Sequence, residues 1–414
     1  MLVLAGMLNY LDRATLAVAN QVVQAELHIP ISSMGLLLSA FLWAYALSQL
    51  PVGVVIDWYG PRRVLAVSLF GWSIAQAAGG FVTNFAQFAT ARAALGIGEA
   101  PLFPTGARVV RDWFNIRQRG LAIGICQAAA SFGSFIAIPL LTFVMLRLNW
   151  RWMFILAGAL GAILSIAWWS IHRDPAETYL SAEEKSFLSE VDAATTSQPS
   201  WSTWAQLFRS RTTWGMVAGF FGLIYTIWLY TSWLPFYLEH ERHMSIAKAG
   251  MLASIPFLCG FIGGILGGWL CDLLVAKGMQ PMASRKVLVA VSMLLSALCG
   301  ALIPFVVHDA TVLFLISASM FATYVAASAA WATVPIAAPA HLTASLGSIQ
   351  NFGGYIGGAL APLLTGILVE RTGNFRQPLL LNAAITFIAA MLYIALTRGS
   401  ISINEDRHLA KEKA

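Results

Sequence analysis

Residues 1–25 read MLVLAGMLNYLDRATLAVANQVVQA, an apolar run whose only charged residues are Asp12 and Arg13. A run of this length can cross the roughly 30 Å hydrocarbon core of a bilayer as an α-helix. Similar runs recur along almost the whole chain. The pattern predicts a polytopic membrane protein built from helices, and the lack of alternating ten-residue strands argues against an outer-membrane barrel.

The composition of the 414-residue chain supports the same class. Hydrophobic residues make up 58% of it and charged residues 11%, with a mean hydropathy of +0.72. A soluble domain carries about 25% charged residues, so this chain cannot cover a water-facing surface and most of its exterior must face lipid. The net charge of +6 does not indicate nucleic-acid binding, because the Lys and Arg residues stand singly or in small groups between apolar runs.

The cysteines and histidines predict neither a metal site nor a cofactor. The four cysteines lie within or at the ends of apolar segments and form no CxxC pair, as is typical of packing residues, and the seven histidines fall in loops or at helix ends. No cleavable signal peptide is apparent, because the first run carries two charges and lacks a small-residue cleavage site. The short basic tail that usually precedes a first helix is missing, as expected of a trimmed or mis-started chain.

The apolar runs predict an all-α membrane protein of twelve transmembrane helices in two pseudo-symmetric six-helix bundles. A polar stretch of about 40 residues separates the sixth run from the seventh, and it is the natural linker between the halves. We therefore expect an N-terminal bundle at 1–172, a cytoplasmic linker at 173–212, a C-terminal bundle at 213–397 and a cytoplasmic tail at 398–414. The twelve segments are 1–25, 32–57, 64–82, 85–112, 118–146, 150–171, 213–239, 246–276, 285–305, 309–339, 343–370 and 375–397.

The basic residues predict the orientation in the membrane. If both termini and the linker are cytoplasmic, that side holds 17 of the 25 Lys and Arg residues, the outer side holds 6, and Arg13 and Arg92 lie within segments. Cytoplasmic loops carry the excess of Lys and Arg in membrane proteins. The bias predicts a multi-pass protein of the bacterial inner membrane, and we expect it to be a monomer.

A weak internal repeat supports two related halves. The motif Gly53-x3-Asp57-x2-Gly60-x-Arg62-Arg63 follows the second segment, and Gly268-x3-Asp272 follows the eighth at an offset of 215. The fifth and eleventh segments match at an offset of 223 through Gly124/Gly347, Gln127/Gln350 and Pro139/Pro362. Parallel repeats about an axis normal to the membrane are one transporter design, with the substrate bound between the halves.

Four ionisable residues stand deep within apolar segments: Asp12, Arg13, Arg92 and Glu99. Each costs roughly 2.5–3.5 kcal/mol at the bilayer centre on insertion scales, so together they oppose insertion by about 10–14 kcal/mol. One interpretation is that they neutralise one another as packing ion pairs. A buried pair is weak evidence for stability, however, because apolar replacements often serve as well.

A functional interpretation fits the spacing of these charges better. Arg92 and Glu99 are two helical turns apart and share a face, whereas Asp12 and Arg13 are about 100° apart and point to different partners. Burial favours the neutral form of a carboxyl group and a nearby arginine favours the charged form, so either acid could exchange a proton as the arginine or a substrate moves. Arginine stays charged and binds carboxylates bidentately, which suits an anionic substrate.

Several motifs resemble the anion:cation symporter branch of the major facilitator superfamily over residues 8–397. The first-helix and fourth-helix motifs are the specific ones, whereas the repeat motif at Gly53 marks only the superfamily. The motifs are Asn9-Tyr10-Leu11-Asp12-Arg13 in the first segment, Ser39-Ala40-Phe41-x-Trp43-x-Tyr45 and Gln49-x-Pro51 in the second, Arg92 with Gly96-x2-Glu99-Ala100-Pro101 in the fourth, Trp331 in the tenth and Asn351-Phe352-x-Gly354 in the eleventh.

The resemblance implies a role for each matching residue, as in the bacterial galactonate, glucarate and hexuronate transporters of that branch. It implies proton uptake at Asp12 and Glu99, a hold on the substrate carboxylate by Arg13, and gating and coupling by Arg92. It also implies a sugar site lined by Tyr10, Tyr45, Ser328, Trp331 and Asn351, and a gating motif that contains Gly53, Asp57, Gly60, Arg62 and Arg111.

Some of these residues keep a second interpretation. Tyr10, Tyr45 and Trp331 are also typical packing aromatics, and small or amide residues such as Ser328 and Asn351 are common where helices approach closely. Galactonate-type members carry a glutamine where Ala130 aligns; Gln127 lies one turn earlier and is the candidate that replaces it. Asp57 and Arg111 are expected to stabilise an outward-facing state rather than to touch substrate.

The sequence thus predicts a secondary active transporter that couples protons to symport of a small organic anion by alternating access, with a sugar acid (aldonate, hexuronate or aldarate) as the favoured substrate. Transport of an aromatic or dicarboxylic acid, anion exchange and efflux remain alternatives. A transporter-like sensor or a membrane enzyme is disfavoured, because the sequence shows no nucleophile–base pair, metal cluster or soluble signalling domain. The expected partners are the anion, protons and the lipid bilayer.

Overall fold

The computed structural model describes residues 1–113, 116–173, 205–338 and 343–401, with the single residues 178 and 181. Only the backbone is described for residues 50, 53, 54, 57, 58, 107, 110–112, 116–131, 335 and 343–345. The helices of the described chain are α1 (Leu2–Leu27), α2 (Ile31–Tyr59), α3 (Pro61–Ala78), α4 (Phe85–Glu99), α5 (Leu102–Trp113), α6 (Ile116–Arg147), α7 (Trp150–Ile171), α8 (Arg211–His240), α9 (Ile246–Ala276), α10 (Pro281–Leu302), α11 (Asp309–Ala337), α12 (Thr343–Thr372) and α13 (Arg376–Leu396).

These helices correspond to the twelve predicted segments, and the prediction of an all-α, twelve-span protein in two bundles is confirmed. Within the described ranges, nine stretches are long and apolar enough by themselves to cross a membrane. Large apolar side chains such as Val67, Phe81 and Ile163 are exposed on the outside, with 64–72% of their surface accessible. That exterior is one that only lipid can cover at low cost.

The fourth predicted segment, 85–112, is not one helix but two. Helix α4 ends at Glu99, Ala100 and Pro101 form a turn, and α5 begins at Leu102. Pro101 has no N–H to donate and its ring clashes with the preceding turn, so the helix breaks there. The side-chain amide of Gln49 on α2 donates to the Ala100 carbonyl at 3.2 Å, which pairs a backbone group freed by the break.

The two halves meet along three helix pairs: α2 with α12, α6 with α9, and α1 with α8. In the repeat α2 corresponds to α9 and α12 to α6, so the first two pairs are related by the pseudo-symmetry. Within each half the helices pack on one another, for example α3 on α7 and α9 on α11. The arrangement leaves α1 and α8 facing each other beside the axis that relates the halves.

The halves are closed together at one face of the molecule, which we call the distal face. It carries residues 28–30, 148–149 and 373–375, at the opposite end of the helices from Met1 and Thr397. A Cβ on Gly35 of α2 would lie 2.6 Å from the Pro362 carbonyl oxygen of α12. The two backbones therefore touch, as is possible only where one helix presents no side chain.

Two further contacts support this closure. The Ser39 hydroxyl on α2 donates to the Ala359 carbonyl of α12 at 2.6 Å. At the second symmetric pair, a Cβ on Gly250 of α9 would lie 2.2 Å from the Thr142 hydroxyl oxygen of α6. The α2 and α12 backbones meet at Gly35, and the Thr142 side chain of α6 packs on the α9 backbone at Gly250, so opening the distal face requires the halves to move as bodies.

We expect Gly35→Val to force the distal face open, because the new side chain would overlap the α12 backbone and overpacking of this kind is costly. Spin labels at Leu148 and Lys248, both exposed at the distal ends of α6 and α9, report the opening as a longer distance in pulsed electron paramagnetic resonance. All spin-labelled variants are made in a protein whose four native cysteines have been replaced by serine.

The matched control is Gly71→Val on α3, where an added Cβ meets nothing within 4 Å. It makes the same change in intrinsic helix propensity and should leave the distance distribution of the parent unchanged. An unaltered distribution in Gly35→Val would contradict the view that this contact holds the distal face closed.

Candidate functional site

An ion pair lies at the centre of the molecule, between the first and fourth segments. The Arg13 Nε of α1 donates to the Glu99 Oε2 of α4 at 2.9 Å, and both side chains are completely buried. Glu99 is the last residue of α4, immediately before the break at Pro101. The proline break therefore fixes where along the membrane normal this carboxylate lies.

Four aromatic rings surround the Arg13 guanidinium. Its Cζ atom lies 4.9 Å from the ring centroids of both Tyr10 and Tyr45, 5.0 Å from that of Phe41 and 5.6 Å from that of Trp228. Each ring at such a distance attracts a desolvated cation by about 0.5–2 kcal/mol. Together they offset part of the cost of keeping a guanidinium away from water.

The rings come from both halves of the protein. Tyr10, Phe41 and Tyr45 belong to the N-terminal half, whereas Trp228 lies on α8 in the C-terminal half. Tyr355 on α12 adds a further ring from that half, with its centroid 4.7 Å from that of Tyr45. The site is therefore lined by residues of both bundles.

Asp12 and Arg92 complete the group of buried charges. Asp12 is 1% exposed, Arg92 is 2% exposed, and the Arg92 Cζ lies 5.1 Å from the Phe41 ring centroid. Asp12 is within electrostatic range of Glu99, Arg92 and Arg13. All four ionisable residues predicted from the sequence thus lie in one buried cluster.

Most of the polar atoms in this cluster are available for a ligand or a proton. Neither Asp12 carboxylate oxygen, nor the Arg13 Nη1 and Nη2 atoms, nor the Glu99 Oε1 makes a hydrogen bond of good geometry with a described residue, although polar side chains stand within reach: Trp72 of Asp12, Asn9 of Glu99, and Tyr10, Tyr45 and Tyr355 of Arg13. The same holds for the Arg92 Nε and Nη1 and for both amide atoms of the fully buried Asn9. Unpaired buried groups are costly, so their concentration at one place indicates a functional site rather than a packing network.

The other predicted site residues lie further away or outside the described side chains. Ser328 on α11 faces Gly267 and Gly268 of α9, and Trp331 is 38% exposed with its ring centroid 5.7 Å from that of Phe220. Asn351 is half-buried and lies one turn before Tyr355 on α12. The side chain of Gln127 is outside the described residues.

The predicted gating motif is described only in part. Gly60 ends α2 with a φ of 79°, a conformation that favours glycine, and Arg62 donates its Nη2 to the Trp169 carbonyl oxygen at 2.9 Å. The side chains of Gly53, Asp57 and Arg111 lie outside the described residues. In the second half, Asp272 accepts a hydrogen bond from Arg285 at 3.2 Å, so the repeat places an ion pair after α9.

Three aromatic residues of the site were not predicted from the sequence: Phe41, Trp228 and Tyr355. Phe41 belonged to a motif but had no role assigned to it. Trp228 stands 215 positions after Arg13, the offset already present in the repeat, and that signal could have identified it. Tyr355 follows Asn351 by one helical turn, so the face of α12 that carries the predicted asparagine also carries it.

Two halves of six helices with ionisable groups buried between them define a class of proteins, the membrane transporters in which two bundles enclose a central site. The Major Facilitator Superfamily model matches residues 2–362, and the chain belongs to that superfamily. It is a membrane transporter and not an enzyme.

Several characterised or named transporters are similar along their whole length. The probable L-galactonate transporter of Escherichia coli K12 is 40% identical over 403 residues, which cover 97% of this chain and 89% of that protein. The D-galactonate transporter of Escherichia coli O6:H1 is 34% identical, and the match covers 96% of this chain and 94% of that transporter. The hexuronate transporter of Bacillus subtilis is 28% identical, and the match covers 97% of this chain and 94% of that transporter.

A solved structure has the same fold. It is a bacterial homolog of the human lysosomal transporter Spinster in an inward-facing and unoccupied conformation, with a TM-score of 0.79 and 17% identity. The match covers 96% of this chain and 95% of that one. The family, the twelve helices and the absence of enzymatic function agree with the predictions made from the sequence.

We expect Glu99→Leu to destabilise the protein by about 3–5 kcal/mol, because it leaves the Arg13 guanidinium buried without its counter-charge. The double variant Arg13→Leu/Glu99→Leu should recover most of that loss, since removing both charges also removes the desolvation cost. Thermal unfolding in detergent measures both.

The pair between Arg242 and Asp309, at 2.6 Å, is the control, because it lies at the distal surface with the Asp309 side chain exposed. Asp309→Leu should cost no more than about 1 kcal/mol, because water screens a pair at the surface. If Glu99→Leu were no more destabilising than Asp309→Leu, the central pair would not be a desolvated one.

Proposed function

We propose that this chain is a proton-coupled symporter that carries a sugar acid across the bacterial inner membrane by alternating access. The observation that carries the proposal is the buried Arg13–Glu99 ion pair, enclosed by aromatic rings of both halves. The relatives named as galactonate and hexuronate transporters support a sugar acid as the substrate class. The charge bias of the loops supports cytoplasmic termini, which makes the distal face the outer one.

Arg13 provides the anion-binding chemistry. Its Nε is occupied by Glu99, while Nη1 and Nη2 make no hydrogen bond of good geometry with a described residue and present a parallel pair of N–H donors. A carboxylate accepts such a pair bidentately with two charge-assisted hydrogen bonds. The surrounding rings offer apolar faces to the carbon skeleton, and Tyr10, Tyr45 and Tyr355 also offer hydroxyl groups to polyol oxygens.

Glu99 and Asp12 couple the binding of protons to the binding of substrate. When Glu99 takes up a proton it no longer compensates the charge of Arg13, and the substrate carboxylate then becomes the counter-charge that the buried guanidinium requires. When the substrate leaves, Glu99 regains that role only as an anion, so the proton leaves as well. Asp12, whose oxygens make no hydrogen bond of good geometry with a described residue and which lies within range of Arg92, is the second proton acceptor.

The distal closure supports alternating access. The close contacts of Gly35 with the α12 backbone and of Gly250 with the Thr142 side chain bring the halves together between the distal face and Arg13 in this conformation. Separating α2 from α12 and α6 from α9 would open a path between them while the rings of Trp228 and Tyr355 move with the C-terminal half. We assign the contacts with the polyol hydroxyls of the substrate to Ser328, Trp331 and Asn351 in the C-terminal half. Gln127 is the residue of the N-terminal half to which we assign such a contact.

Asp12→Asn should abolish pH-driven uphill uptake of a labelled sugar acid into proteoliposomes, because the amide cannot carry a proton across. Exchange of external for internal substrate needs no net proton movement and should persist. Glu26→Gln is the control on the same helix: Glu26 pairs with Arg151 at the distal end of α1, at 2.8 Å, and its neutralisation should leave uphill uptake intact. Full accumulation by Asp12→Asn would refute the coupling role.

Substrate binding should raise the unfolding temperature of the purified protein in galactonate, glucuronate or glucarate, since a ligand that binds only the folded state stabilises it. Arg13→Lys should lose most of that shift because an ammonium group cannot replace the bidentate fork. Arg151→Lys, which alters the surface pair with Glu26, should retain it. A larger shift with benzoate or succinate than with any sugar acid would favour the aromatic or dicarboxylic alternative.

A further inference from the structure

A groove of about 290 Å³ runs along the outside of the C-terminal half, between α8 and α13. Its lining is apolar, and three of the lining residues, Trp214, Ile388 and Leu392, expose 51%, 56% and 41% of their surface. Apolar side chains exposed to this degree on a membrane-spanning helix face the hydrocarbon of the bilayer, so the groove opens to lipid. The two walls are formed by Trp214, Ala218 and Phe221 of α8 and by Ile385, Ile388 and Leu392 of α13.

The groove extends along the helix axes from the level of Trp214 into the bilayer. Trp214 and Phe221 are seven residues apart on α8, as are Ile385 and Leu392 on α13, which corresponds to about 10 Å of helix. Trp214 lies near the end of α8 opposite the distal face, at the depth where Trp is enriched in membrane proteins. Its indole Nε1 donates to the Phe208 carbonyl oxygen at 2.8 Å, which fixes the ring at the mouth of the groove. An elongated apolar chain fits this shape, with its polar end beside the indole.

Two arginines lie at the mouth of the groove, at the start of α8. Arg211 is the first residue of α8 and precedes Trp214 by about one turn, so the helical period places both on the groove face. Arg209 follows Phe208, whose carbonyl binds the Trp214 indole and whose ring centroid lies 6.2 Å from that of Trp214. Both arginines are exposed. Two positive charges therefore flank the indole at the level where the groove begins.

A third arginine comes from the end of α13. Arg398 lies two residues after α13 ends at Leu396, and it is exposed. Its backbone N–H donates to the Thr212 hydroxyl oxygen at 3.4 Å, and that hydroxyl donates to the Gly399 carbonyl oxygen at 3.1 Å. Because Thr212 is the neighbour of Arg211, these bonds bring the backbones of the two arginines close together. None of the three arginines forms an ion pair with an acid among the residues that the structure describes.

We propose that this groove binds an anionic phospholipid, with one acyl chain between α8 and α13 and the phosphate diester among Arg209, Arg211 and Arg398. A guanidinium donates parallel N–H groups to phosphate oxygens. A zwitterionic lipid would add its own cation to this cluster of positive charge, so the cluster favours a headgroup with net negative charge. The orientation given under the proposed function places this end in the cytoplasmic leaflet, whose anionic lipids attract basic side chains. The bound lipid bridges the start of α8 and the chain after α13, which stabilises the packing of these two helices.

The test titrates the full chain, purified in detergent, with phosphatidylglycerol or with phosphatidylcholine of the same acyl chains. Native mass spectrometry counts the bound lipids and reports the oligomeric state, and thermal unfolding reports the stabilisation. We expect the parent to retain phosphatidylglycerol about ten-fold more tightly than phosphatidylcholine and to unfold at a higher temperature with it. Arg211→Gln/Arg398→Gln should abolish this preference. Lys277→Gln/Lys286→Gln is the matched control, because it removes two positive charges from the same end of the C-terminal half, and it should retain the preference.

Ala218→Trp is a second variant that tests the groove rather than the charges, because the new indole would occupy the place of the acyl chain. It should weaken the binding of phosphatidylglycerol, whereas Ala159→Trp at an exposed position of α7 should not. Equal retention of the two lipids by the parent, or a preference that survives in Arg211→Gln/Arg398→Gln, overturns the proposal. So does stabilisation by inorganic phosphate to the same extent as by phosphatidylglycerol, which indicates a site for free anions, or a dimer in place of the lipid-bound monomer. These measurements use neither substrate nor a gradient, so their outcome is independent of the symport assay.

Discussion

The ion pair between Arg13 and Glu99 is the constraint on which the rest of the structure depends. A guanidinium that is always charged is held where water is excluded, and it must therefore always have a counter-charge. Two species can supply one, the carboxylate of Glu99 and the carboxylate of a bound anion. In the proposed function Glu99 gives up this role by taking a proton, so electrostatics alone would link the occupation of the site by substrate to the protonation of the protein.

The scaffold makes that exchange reversible. Gly35 lets the α2 and α12 backbones touch and Gly250 admits the Thr142 side chain of α6 against α9, so the distal contacts close over short distances and with little side-chain surface to reorder. Trp228 and Tyr355 come from the C-terminal half: the Trp228 ring faces the Arg13 cation and the Tyr355 ring packs on Tyr45, so in the proposed alternating access both contacts depend on the halves being together. The energy of the central cluster therefore changes with the conformation of the whole molecule.

Much of this could be predicted from the sequence, and the reason is physical. The length of an apolar run and the presence of a charge within it are one-dimensional signals, so the twelve segments and the roles of Asp12, Arg13, Arg92 and Glu99 as buried charges could be identified directly. Aromatic residues in apolar helices carry no such signal, since a ring that packs and a ring that faces a cation look alike in sequence. Phe41, Trp228 and Tyr355 were therefore missed, and the break at Pro101 was overlooked because the hydrophobic run continues through it.

The geometry of the cluster also limits how a substrate can bind. The rings of Tyr10, Phe41 and Tyr45 lie within 5.0 Å of the Arg13 Cζ, and the Arg13 Nε is taken by Glu99. In the proposed function a carboxylate therefore approaches along the edge formed by Nη1 and Nη2, which places the charged end of the anion in the N-terminal half. The uncharged remainder must extend toward α8 and α12, where the structure offers aromatic and amide side chains but no buried cation among the described residues. This asymmetry favours an anion with one carboxylate at its end and a polar, uncharged body.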